Sequence, residues 1–173
     1  MVTIEMHWPP LARVPSLSDD DVHIWCAPLD LPEPDIERLA GALAADERQR
    51  AARFHFERGR RHFIAGRATL RVLLAAYLHV EPSHVALQYG PHGKPTLVDA
   101  ASQVPATAPL RFNVSHSDGL AVYAFTRGRH IGIDVERLRP IDDGKRIAAR
   151  FFSPAEQAQL RTVPAHQFDE AFF

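Results

Sequence analysis

Residues 60–78 constrain this chain's fold more than any other stretch. Phe63, Leu70, Leu74 and Tyr77 form one apolar stripe at helical spacing, and Arg60, Arg67 and Arg71 form a neighbouring stripe. An apolar stripe on so long a helix has to be buried against another layer. Strand patterns lie on both sides of it. Residues 22–27 alternate Val22, Ile24 and Cys26 against His23, Trp25 and Ala27, a strand signal. Before the long helix, Ile36, Leu39, Ala40 and Leu43 fall at i, i+3, i+4 and i+7, an amphipathic helix. Asp46 with Gln49 resembles a capping pair that restarts the helix toward His55, and Gly59 marks a break before residue 60.

Beyond the long helix the pattern changes. Residues 85–89 read as a short strand, 90–95 as a turn carrying Lys94, and 99–109 as a polar, proline-bearing loop. Three strands follow, at 110–115, 120–126 and 131–136, the last two read as a hairpin around Gly128. The remainder is helical: one helix ending near Arg150, one starting at Ser153 and one after Pro164. Ser153, Pro154 and Glu156 are an N-cap, N1 and N3 set, which makes Glu156 a capping residue. Residues 1–20 read as an extended lead-in. The order predicts an α+β fold.

Composition excludes several classes. A formal net charge of −1 argues against a chain that coats nucleic acid. The lone cysteine, Cys26, permits no intrachain disulfide and reads as a small core hydrophobe within its alternating run. Residues 1–10 lack a signal-peptide pattern, and no apolar run approaches the ~20 residues that span a bilayer. The expectation is a cytoplasmic protein. Ten histidines include no H-x-x-x-H or H-E-x-x-H pair, against a zinc hydrolase.

The chemistry-bearing residues are few. If 131–136 is a strand, Ile131, Ile133 and Val135 take one face while Asp134 and Glu136 share the other, ~6.5 Å apart. Two carboxylates there repel by roughly 2.5 kcal/mol at an effective dielectric of about 20, and by less than about 1 kcal/mol in water. A solvated acidic face explains such a pair. So does a hard cation, since magnesium takes one or two carboxylates and fills its shell with water and phosphate oxygens. Ser115 and His116 end the strand before it, as turn formers or as donors to phosphate. Arg50, Arg53, Arg60, Arg61, Arg67 and Arg71 offer guanidinium groups suited to phosphate, or a solvated helix face, and Lys94 adds a point charge.

In order, Phe112-Asn113-Val114-Ser115-His116-Ser117, Gly132-Ile133-Asp134-Val135-Glu136 and Arg150-Phe151-Phe152-Ser153 with Glu156 resemble the 4′-phosphopantetheinyl transferases of the surfactin-synthetase-activating type. Glu47-Arg48 to Arg53-Phe54, Arg67 to Arg71 and Gly93-Lys94-Pro95 follow the family's order and approximate spacing. The resemblance implies two similar α+β lobes, 1–109 and 110–173, with coenzyme A in the cleft between them. It implies magnesium-dependent transfer of the phosphopantetheine arm to a serine of an apo acyl or peptidyl carrier protein, by a monomer. Asp134 and Glu136 would hold magnesium and, with His116, form the catalytic set. Ser115, His116, Lys94, Arg50, Arg53, Arg61 and Arg67 would contact coenzyme A. Glu47 stands where some relatives carry lysine and is given no phosphate contact. The family continues into a Trp-x-x-Lys-Glu-Ala motif, and the sequence ends at Phe173 ahead of it. An incomplete second lobe with little activity is therefore expected, and the alternative is a coenzyme A or carrier-protein binding module without transfer.

Overall fold

A computed structural model describes residues 2–6, 14–91, 93–98 and 108–172. It is a mixed α and β fold in two compact units, Met1–Val135 and Glu136–Phe173. The first unit contains β1 (Val2–Met6), β2 (Val22–Pro28), α1 (Glu33–Ala40), α2 (Ala45–Ala51) and α3 (Glu57–Leu78). A short pair, β3 (Leu87–Tyr89) and β4 (Pro95–Leu97), precedes β5 (Leu110–Ser117) and β6 (Leu120–Arg127). The main sheet runs β1-β2-β6-β5, with β1 parallel to β2 and the other neighbours antiparallel.

The first unit extends to Val135, because β6 pairs with β2 and carries β5 into the same sheet. Within the expected extended lead-in, residues 2–6 pair with β2 as a strand. The hairpin joins β5 to β6 through Asp118 and Gly119, both at positive φ (40° and 86°), the backbone of a tight primed turn. The φ of Gly119 favours glycine, and a Cβ there would also displace the Asp30 carboxylate. Most of the expected 99–109 loop lies outside the described residues.

The long helix is the other half of the core. Gly59 does not break it: α3 starts at Glu57, and the missing Cβ leaves room for the Phe54 ring. Leu70, Leu74 and Tyr77 are buried as the stripe predicts, and Phe63 is half-buried. They share a core with Trp25, Ala27, Tyr123 and Phe125. On β2 the buried face is His23, Trp25 and Ala27, so Cys26 is half-exposed and its expected core role is corrected. Burial of the two polar rings is possible because Tyr77 Oη meets His23 Nδ1 (2.7 Å) and accepts from Trp25 Nε1 (2.9 Å). Burial still raises the Cys26 thiol pKa.

One buried carboxylate ties the helices together. Glu47 is 1% exposed and pairs with Arg71, itself buried. It also accepts from the Ala44 amide (3.0 Å) and from Tyr89 Oη (3.3 Å), with Arg67 Nε at 3.6 Å. Glu47 thereby starts α2 from Ala44, in place of the expected Asp46–Gln49 cap. Arg71 continues to the carbonyls of Pro82 (2.9 Å) and Val85 (3.0 Å).

The second unit consists of α4 (Gly144–Phe151), α5 (Pro154–Thr162) and α6 (Phe168–Phe172), with no strand among its described residues. Ser153 caps α5 reciprocally with Glu156, whose carboxylate accepts the Ser153 amide (2.7 Å). That bond lowers the Glu156 pKa. A Cβ on Gly144 would stand 2.6 Å from the Phe168 ring, so the glycine admits α6 against α4. Among the described residues no helix is long and apolar enough to cross a membrane.

Glu47→Ala strands the Arg71 charge in the core and is expected to cost about 3–5 kcal/mol of stability. Urea unfolding measures it, and Glu47→Ala combined with Arg71→Met is expected to lose less than the sum of the two single changes.

Candidate functional site

Alternation along β5 sends neighbouring motif residues to opposite faces. Phe112 and Val114 belong to the core face and His116 follows them, whereas Asn113 and Ser115 face the other way. The two residues expected to share phosphate contacts, Ser115 and His116, therefore serve different surroundings.

On the Asn113–Ser115 face lies the acidic segment. Residues 131–136 form no strand, which corrects the expected hairpin with β6. Side chains of the edge strand take the place of backbone partners. The Ile133 amide donates to Asn113 Oδ1 (2.9 Å) and the Val135 amide to Ser115 Oγ (3.2 Å). The strand-like alternation survives: Ile131, Ile133 and Val135 are half-buried while Asp134 and Glu136 are exposed. Ser115 Oγ also donates to Asp134 Oδ1 at 2.6 Å, which fixes that carboxylate. Its hydroxyl hydrogen is thus committed to Asp134. Glu136 opens the second unit.

On the other face a cavity of about 480 Å³ is lined by residues drawn from either side of residue 109. Arg50, Arg67, His62 and His116 line it together with Phe54 and Phe63. Its charged lining is cationic. The Arg50 and Arg67 guanidinium groups lie 5.1 and 5.9 Å from the centre of the Phe63 ring, and Arg67 lies 5.4 Å from that of Tyr89. Arg67 Nη1 is buried with no hydrogen-bond partner among the described residues. The second unit has a larger cavity, about 820 Å³, but Lys145, Arg146 and Arg161 there are balanced by Asp142, Asp143 and Asp169. Of these two, the cavity beside β5 has the sign for an anionic ligand.

The remaining candidates are dispersed. Gly93 and Pro95 line the cavity on either side of exposed Lys94. Arg53 is exposed and outside the lining. Arg61 is held at the start of α1 by Glu33 and by the Leu31 carbonyl (2.6 Å). Arg60 pairs with Glu57 (2.6 Å), and Arg71 is consumed by Glu47.

Sequence reasoning passed over Asn113, Phe54 and His62. Asn113 could have been found from its two-residue offset to Ser115. His62 carried no local signal, because its partner Asp30 (2.7 Å) is 32 residues away. Hydrogen bonds from His62 and then Arg58 lower the Asp30 pKa. A depressed carboxylate adds stability above its unfolded pKa of about 3.9 and loses it as pH falls through the folded value. The melting-temperature gap between wild type and Asp30→Asn is therefore expected to be full above about pH 4 and to close below it.

Asn113→Ala removes the acceptor of the Ile133 amide, and its exchange with solvent is expected to speed up by about tenfold, measured by hydrogen exchange.

Two family profiles cover most of the chain. A family profile described as "4′-phosphopantetheinyl transferase, N-terminal" matches residues 32–127, and one described as "4′-phosphopantetheinyl transferase superfamily" matches 130–173. The chain is 45% identical over 166 residues to the 4′-phosphopantetheinyl transferase HetI of Nostoc sp., covering 96% of this chain and 68% of that protein. It is 30% identical to a 4′-phosphopantetheinyl transferase of Bacillus subtilis, covering 84% and 60%. The 4′-phosphopantetheinyl transferase psf-1 of Bacillus pumilus is also 30% identical, over 80% of this chain and 55% of its own. The chain thus spans between 55% and 68% of the length of these relatives.

Proposed function

Because the chain belongs to the 4′-phosphopantetheinyl transferase superfamily, we propose that it transfers the 4′-phosphopantetheine arm of coenzyme A to a serine of an apo acyl or peptidyl carrier protein. The observation that carries this reading is the division of labour on β5. An exposed, fixed carboxylate stands on one face, and a cation-lined cavity on the other. The serine oxygen of the carrier attacks the phosphorus bearing the pantetheine arm. The diphosphate bond to the nucleotide breaks, and 3′,5′-ADP leaves, its new terminal phosphate oxygen taking up the proton that the serine hydroxyl gives up.

Asp134, with Glu136 two residues on, would hold magnesium. The donors fit that ion. Asp134 is exposed, its Oδ1 is taken by Ser115, and its Oδ2 accepts no hydrogen bond among the described residues. Among those residues no group of three or more His, Cys, Asp or Glu converges, and magnesium needs no such group. When bound, the ion supplies charge neutralisation on the diphosphate.

The protein's own part is positioning. Ser115 aims the Asp134 carboxylate, and Asn113 holds the segment that carries it. Arg50, Arg67 and His116 offer donors to phosphate oxygens from the cavity, and Lys94 does so from the turn beside it. His116 is the catalytic imidazole of the proposal. Arg53 and Arg61 lie farther out: Arg53 is a contact for the substrate's periphery, while Arg61 must first leave Glu33. The proposed setting is the cytoplasm, with the protein acting as a monomer.

Mass spectrometry of an apo carrier protein incubated with this protein, coenzyme A and magnesium is expected to show the gain of one phosphopantetheine, and Asp134→Ala to abolish it. No gain with any apo carrier would overturn the reading. Coenzyme A binding without any gain would select a non-catalytic binding module instead.

A further inference from the structure

The cavity beside β5 is lined by two imidazoles, His62 and His116. Of the two, His62 alone has a carboxylate partner among the described residues: its Nε2 lies 2.7 Å from Asp30 Oδ1. Arg58 fixes Asp30 from a second side, with Nη2 at 3.4 Å from Asp30 Oδ2 and at 3.4 Å from Asp118 Oδ1. Hydrogen bonds from His62 and then Arg58 hold the Asp30 carboxyl below its ordinary range, so it is ionised at neutral pH. An ionised carboxylate only accepts. The ring hydrogen of neutral His62 is therefore on Nε2, and the lone pair is on Nδ1. No hydrogen bond reaches Nδ1 among the described residues.

An imidazole oriented by a carboxylate through one nitrogen is suited to take a proton on the other. The charge of Asp30 favours the imidazolium that results. Arg50 and Arg67, which line the same cavity, oppose it, and phosphate oxygens bound to those guanidinium groups lift the opposition. Arg58, one turn earlier on α3, is answered by Asp118 and Asp30. Resting on the reading of this protein as a transferase that holds phosphate through Arg50, Arg67 and His116, we infer that His62 is a further catalytic residue, the acceptor of the carrier serine's proton. Asp30 is its positioning residue. As the serine oxygen bonds to phosphorus, its hydrogen passes to His62 Nδ1. The bond from that phosphorus to the bridging diphosphate oxygen breaks, and its electron pair stays with the departing nucleotide. The imidazolium then gives its proton to the new terminal phosphate oxygen, which restores neutral His62.

Single-turnover transfer from coenzyme A to an apo carrier protein with magnesium present, measured by rapid quench, tests this beside calorimetry of coenzyme A. His62→Ala is expected to slow transfer by about a hundredfold, while coenzyme A affinity stays within about twofold of wild type. Imidazole added to the buffer is expected to recover about tenfold of that rate, which a merely structural His62 would not allow. Asp30→Asn is expected to slow the wild type by about tenfold and to add nothing in the His62→Ala background. An Asp30 that only stabilises the fold would slow both. Should His62→Ala not fold, His62→Gln decides, because its amide can still reach Asp30 but takes no proton: the same loss supports the assignment, and a wild-type rate overturns it. A His62→Ala rate within about threefold of wild type overturns it, as does a loss of affinity equal to the loss of rate. Either result leaves the transferase reading intact as long as the wild type transfers. No transfer by the wild type to any apo carrier refutes that reading, and this assignment with it.

Discussion

Two oxygens of one buried carboxylate hold the first unit's helices in register. Glu47 gathers the start of α2, two turns of α3 and the β3 tyrosine, and Arg71 extends the network to the 82–85 turn. An ion pair taken out of water survives only when its hydrogen-bonding capacity is filled, and here carbonyls complete Arg71 while Ala44 and Tyr89 complete Glu47. The arrangement has a consequence four residues back along α3. With Arg71 satisfying Glu47, Arg67 keeps its charge and is merely steered. A core interaction thus sets the position of a cavity cation.

The acidic segment is held by a different device. A backbone ladder would fix residues 131–136 by repeated amide–carbonyl bonds. Instead two side chains of the edge strand, Asn113 and Ser115, take the Ile133 and Val135 amides. Ser115 then uses its one hydrogen on Asp134, so the hydroxyl that anchors the segment also aims its carboxylate. Position and orientation of Asp134 depend on the same oxygen. Two strand residues thus stand where a further strand would have paired.

β5 serves both faces at once. Its period of two puts Asn113 and Ser115 beside the carboxylate while Val114 and His116 meet the cavity. The Asp118–Gly119 turn keeps that register, because β6 pairs residue for residue down to Ser117 and Leu120. Leu29 donates its amide to the Gly119 carbonyl at 2.7 Å, which ties the turn to the chain leaving β2. The same Leu29 lines the cavity.

Local pattern determined a good part of this protein. The α3 stripe, the β2 and β5–β6 strand signals, the Ser153–Glu156 cap and the exposed alternation of Asp134 and Glu136 all depend on spacing along a few residues, and spacing is visible in a sequence. The ordered motifs determined the family, since their combination is far more specific than any one of them. Tertiary structure decided the rest. Which face of β2 is buried turned on Tyr77, 52 residues from Trp25, because its hydroxyl partners both polar rings in the core. Whether 131–136 pairs as a strand turned on side chains some 20 residues earlier. Which arginines are spent and which are left for a ligand turned on acids 3 to 60 positions away. Charge pairing and hydrogen-bond satisfaction are settled among groups that meet in space, and a linear pattern does not record those meetings.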